Sequence, residues 1–153
     1  MDAFPIVVLS RVLHVLAAIF LFGGSLFLFA VLTPSAKELP ENEHEALKER
    51  VMKKWRAYVG MAIGALIFTG FYNYLVVAGP EHNDVGDKKY HMFMGIKILI
   101  AFVVFFFASV LPGRVKAFEK MRQNSRKWSI VTIVLATVVV AIAGFLRVRG
   151  VIQ

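Results

Sequence analysis

Four stretches of nearly unbroken apolar residues, at 12–32, 59–78, 92–111 and 128–146, alternate with segments where the charged residues crowd together. Each stretch is close to the roughly 20 residues a helix needs to cross about 30 Å of hydrocarbon. The pattern predicts an all-α protein, a transmembrane four-helix bundle with spans at about 6–32, 57–78, 91–111 and 128–148, in one domain over 1–153. Pro34 in "VLTPSAKEL" is expected to stop the first helix, and the charged "PENEHEALKERVMKKW" to run as a short helix into the second span. Gly79-Pro80 and Asn83-Asp84 mark a turn-rich loop at 79–90.

Phrases at the span ends repeat. "VLTPSAKEL" resembles "VLPGRVKAF" at 110–118, and "KKW" at 53–55 resembles "RKW" at 126–128, with Gly70-Phe71 and Gly144-Phe145 at similar distances beyond. The correspondence predicts two parallel helical hairpins related by an axis along the membrane normal, with His14 roughly opposite Met92 and close to His91. Gly60 and Gly64 form a GxxxG spacing, expected to serve close packing within the chain.

Charge then sets the orientation. Lys37, Lys48, Arg50, Lys53, Lys54 and Arg56 lie between the first two spans, and Arg114, Lys116, Lys120, Arg122, Arg126 and Lys127 between the last two. The middle loop has only Lys88 and Lys89, beside Glu81, Asp84 and Asp87. The positive-inside rule makes both basic loops cytoplasmic and both termini external, in a multi-pass protein of the inner (cytoplasmic) membrane. The net charge of +8 is thereby accounted for by topology and anionic lipid headgroups, without a nucleic-acid partner. The N-terminal segment lacks the basic stretch of a cleavable signal peptide, so the first span is expected to be permanent. With no cysteine, thiolate metal sites and iron–sulfur clusters are excluded.

Within the four apolar stretches the only strongly ionisable groups are His14 and Lys97. At 1.5 Å per residue, Arg11 and His14 lie about 9 and 13 Å along the first helix from Pro5, and Lys97 about 9–10 Å beyond Tyr90 and His91. Asn73, Tyr72 and Tyr74 fall at a similar depth on the second span, while Arg147 and Arg149 close the fourth. A lysine at that depth costs about 2.5–3.5 kcal/mol on insertion scales, part of which snorkelling to the interface about two turns away would recover. The functional reading of Lys97 is placed ahead of snorkelling. Helical spacing puts His14 on a stripe with Arg11, Ala18, Leu21 and Ser25, Lys97 on one with Tyr90, Met94, Ala101 and Ala108, and Asn73 on one with Ala62, Leu66 and Thr69. Arg147 shares a stripe with Ala136, Val140 and Ala143. Small residues beside polar ones predict that these stripes face inward and converge on one site in the outer half. His44 and His82 fall on polar segments and are expected to be solvated.

Two cofactors and a third class of role suit such a site. Haem b would use His14 as axial ligand, His91 or Met94 as the second, and Arg11, Lys97 and Arg147 around its propionates. Copper would use the imidazole and thioethers of "HMFM" at 91–94, but Met92 and Met94 are 200° apart on a helix and would need an unwound end. The third class is a small structural subunit that binds lipid, a homo-oligomeric partner or a larger membrane redox partner. No Asp, Glu or Cys lies within the apolar stretches, so hydrolysis and carboxylate-driven proton transport lack their usual groups.

"RVLHVLAAIFLFGGSLFLFAVLTP" at 11–34 and "MGIKILIAFVVFFFASVLPGR" at 94–114 resemble the membrane domain shared by CopD-type copper-resistance proteins and HemJ-type protoporphyrinogen oxidases. His14 with Gly23-Gly24 matches the first-helix histidine and the small segment after it; Lys97 matches the lysine of a later apolar helix. The resemblance implies a b-type haem and a membrane oxidoreductase on the HemJ side, or copper uptake on the CopD side. The tryptophan that often follows the histidine in the HemJ pattern is replaced by the Leu21-Phe22 region, and the histidine two before the lysine by Gly95.

Overall fold

The computed structural model describes residues 4–80 and 88–152, and they are helical with no strand among them. The first helix runs through Phe4–Ala36 and the second through Glu41–Ala78; Lys88–Val110 and Ser125–Ile152 are the third and fourth. All four are long and apolar enough to span a bilayer. The chain is an integral membrane protein, a multi-pass helical bundle. Its large exposed side chains, such as Phe68 at 79% and Leu99 at 69%, would be untenable in water and are the lipid-facing surface.

The helices alternate in direction. Phe20 stacks near Trp55 and Tyr58 across the first pair, Arg56 donates to the Pro112 carbonyl across the second and third, and Phe93–Phe145 and Phe107–Trp128 join the third and fourth. The closest packing is between first and second helices and between third and fourth, with first–fourth and second–third contacts closing the ring. Leu21, Val59, Ala62, Leu66 and Ala108 fill the centre. Small residues allow that approach, because lipid offers helices no hydrophobic reason to associate and close contact has to supply it. Gly24 is an instance: a Cβ there would run into the Trp55 ring.

The all-α bundle of four spans agrees with the expectation, but several boundaries differ. Pro34 does not stop the first helix. Leu28–Leu32 widen into a π turn, the Thr33 N–H reaches back to the Leu28 carbonyl, and Pro34 starts the Thr33–Ala36 turn, where a missing N–H costs little. The second helix does the same at Asn73–Ala78, where the Gly79 N–H bonds the Tyr74 carbonyl just before Pro80. Gly79 and Pro80 are thus helical rather than a break. The charged segment from Glu41 is one helix with the second span, and half-buried His44 sits on it rather than in a loop. Gly60 and Gly64 face open space, so the GxxxG spacing is not used for packing inside the chain. The remainder of the 79–90 loop, with His82 and the Asn83-Asp84 pair, lies outside the described residues.

At the end of the bundle carrying the basic segments, Arg114 pairs with Glu49 at 2.6 Å on the surface. Phe106 packs edge to face against Phe107 and Phe118, and Phe107 lies tilted on Trp128, beside the Lys116–Phe118 and Glu119–Gln123 turns. The other end, where the first helix begins, carries the polar groups.

Candidate functional site

His14 projects from the first helix onto the second. Its Nδ1 lies 2.9 Å from the Thr69 hydroxyl, and that hydroxyl donates to the Ala65 carbonyl at 2.5 Å, one turn back. With its single proton so committed, Thr69 accepts from His14, which assigns the proton of the ring to Nδ1. In that tautomer Nε2 carries the lone pair, the state in which a histidine ligates a metal, and the Leu66 carbonyl also lies within hydrogen-bonding reach of the ring. Gly70 makes room for this: a Cβ there would stand 3.1 Å from His14 Cε1 and 3.6 Å from Nδ1.

Lys97 is half-buried on the third helix, diagonally across the ring, and its ammonium lies within electrostatic reach of the His14 imidazole. No span contains an Asp or Glu to neutralise it. His14, Thr69 and Lys97 therefore form one polar layer that has no carboxylate beside it among the described residues.

His91 belongs to a second layer. Its Nδ1 is 3.0 Å from the Tyr74 hydroxyl, and its ring stands edge-on to Tyr74 and Tyr90. Tyr74 is five residues beyond Thr69, so His91 sits about 7 Å nearer the helix end than His14. Lys97, not His91, shares the level of His14, and the structure does not bring the two histidines together as a ligand pair. Met94 is half-buried on the Lys97 side. "HMFM" lies within the regular helix Lys88–Val110, with Met92 exposed, so 91–94 do not converge on one point. Among the described residues, no three His, Asp or Glu gather in a metal-binding group.

Arg11 and Arg147 are exposed and outside the cluster, each for the same geometric reason. Buried Ser10, not Arg11, takes the inward position one turn from His14; Leu146, not Arg147, takes it on the fourth helix. A one-residue step turns the helix by 100°, enough to put the arginine outside. The stripes through Asn73 and Lys97 do face inward, with Ala62, Leu66 and Ala108 buried. Thr69 as partner, Gly70 as the space for the ring, and Ser10 were not picked out from sequence. The Thr69 and Gly70 signals were present, since both sit on the second span at the depth of His14.

No family model matches the chain, and no solved structure matches it. A curated protein of Aquifex aeolicus (strain VF5), described as an uncharacterized protein, is 26% identical over 130 residues, which cover 84% of this chain and 86% of that one.

Proposed function

We propose that this membrane protein binds a b-type haem through His14 and takes part in membrane redox chemistry, in the manner of the CopD/HemJ group it resembles, with the polar end of the bundle facing away from the cytoplasm. The observation that carries the reading is the hydrogen-bond sequence Ala65–Thr69–His14, which fixes the imidazole and leaves Nε2 as a ligand. Such an outer partner is what orients and strengthens a metal-binding histidine. The donor set suits the group: one imidazole, an apolar surround, and in Lys97 an amine that could meet a propionate and has no carboxylate partner among the described residues. When bound, the haem would supply one-electron chemistry. Thr69 holds the imidazole orientation, Gly70 gives the ring its place, and Lys97 attracts and positions negative charge.

The test is the visible spectrum of detergent-purified protein from haem-replete cells, oxidised and then reduced with dithionite. A Soret band and a sharp α-band on reduction, both lost in His14→Ala while the protein still inserts, is the expected result. A colourless wild type, or a pigment that persists in His14→Ala, overturns the assignment.

A further inference from the structure

One turn from the His14 layer, towards the helix ends, three buried polar atoms have no partner among the described residues: Ser10 Oγ, Asn73 Oδ1 and His91 Nε2. They come from three different helices. Their common level follows from the bonds already described. Ser10 precedes His14 by four residues and Asn73 follows Thr69 by four, on antiparallel helices joined by the His14–Thr69 bond, so both lie about 6 Å towards the end. His91 precedes Lys97 by six residues, about 9 Å in the same direction, and is tied to Tyr74, the neighbour of Asn73.

Ser10 is the most telling. It is only 8% exposed, and a buried helical serine ordinarily donates to the carbonyl one turn back, as Ser25 and Thr132 do here. Ser10 does not. An unsatisfied buried hydroxyl is costly, and three unsatisfied groups at one level are rare unless something polar bridges them. The atoms match water chemically: a hydroxyl that donates and accepts, a carbonyl that accepts, and a ring nitrogen that does either according to which way the Tyr74–His91 bond is polarised. Buried water makes two to four bonds to such groups.

We infer that Ser10, Asn73 and His91 hold a hydrated layer that connects the aqueous surface at this end of the bundle to the His14–Lys97 layer. Among the described residues, the titratable groups on this route are His14, Lys97, His91, Tyr74 and Tyr90, and Arg11, Arg147, Lys88 and Lys89 are exposed at the same end. The inference rests on the His14–Lys97 layer as a site but not on haem.

The experiment is water-edited solid-state NMR on isotope-labelled full-length protein in lipid vesicles. Magnetisation from water should reach Ser10 and His91 as fast as it reaches Glu41 and Glu43 on the charged segment; transfer as slow as that to Leu21 and Leu66 overturns the layer. The second measurement is hydrogen–deuterium exchange at the His14 ring N–H. In the Ser10→Ala, Asn73→Leu double variant it should slow by about tenfold or more, the behaviour expected when exchange must wait for local opening. An unchanged rate overturns the route. Neither readout involves pigment, so its failure is distinguishable from failure of the haem assignment.

Discussion

Replacing Thr69 by valine removes a hydroxyl and keeps the side-chain shape. The Ala65 carbonyl loses little, since it still accepts its helical N–H. His14 loses the acceptor for its Nδ1–H at 2.9 Å. Side-chain bonds between membrane helices average about 0.6 kcal/mol with a maximum near 1.7. A buried donor left unpaired costs about 1–3 kcal/mol. His14 is half-buried and retains some freedom to turn, so the two ranges meet at about 1 kcal/mol, roughly a fivefold change in the unfolding equilibrium. Reversible unfolding in mixed micelles by SDS titration, followed by circular dichroism, measures it. Nitrogen-15 NMR of the imidazole supplies a second readout: a single Nδ1–H tautomer in the wild type, a mixture in Thr69→Val. Unchanged stability with an unchanged tautomer would show that the threonine does not hold the histidine. A loss well above about 3 kcal/mol would mean that the methyl replacing the hydroxyl is not accommodated against the His14 ring, so that more than the lost bond is being read.

Gly70→Ala should push the His14 ring back by a few tenths of an ångström and cost about 1 kcal/mol; combined with Thr69→Val it should cost less than the sum, and strict additivity in the same titration would refute the shared mechanism. Gly24→Ala should cost about 2–3 kcal/mol through collision with Trp55, and Trp55→Leu in the same chain should recover much of it. Arg56→Met, which removes the bond to the Pro112 carbonyl, should cost about 1 kcal/mol or more, whereas Glu49→Gln, breaking an exposed ion pair, should cost under about 0.5 kcal/mol in the same assay.

Span number and order were legible because bilayer length is a property of the sequence itself. The depth of His14 and Lys97 was legible too, since helical rise converts position into depth. Facing was harder. Arg11 and Ser10 flank the same stripe from opposite sides, and periodicity alone does not say which of two residues separated by 100° turns inward; packing against Thr69 and Gly70 decides it. The expected stop at Pro34 failed for a related reason: a proline's local veto on the α-helical bond can be met by widening one turn, which depends on what the helix packs against beyond it. His91 looked equivalent to His14 through the apparent repeat. The Tyr74 bond instead seats it nearer the end, a tertiary fact that no internal similarity contains.

The two π turns also bear on how this chain should line up with distant relatives. A π turn holds one residue more than the α-helix it interrupts, so each is geometrically equivalent to a one-residue insertion: one in 28–32, the other in 73–78. His14 precedes the π turn of its own helix and Thr69 precedes that of its own, so a relative lacking either would keep their pairing in phase. Asn73 and Tyr74 lie inside the second. There, a single-residue gap would rotate the tyrosine by about 100° away from His91 while the histidine–threonine contact below it stayed intact. The two polar layers are thus free to diverge separately, the inner one anchored by helical phase and the outer one contingent on a single added residue.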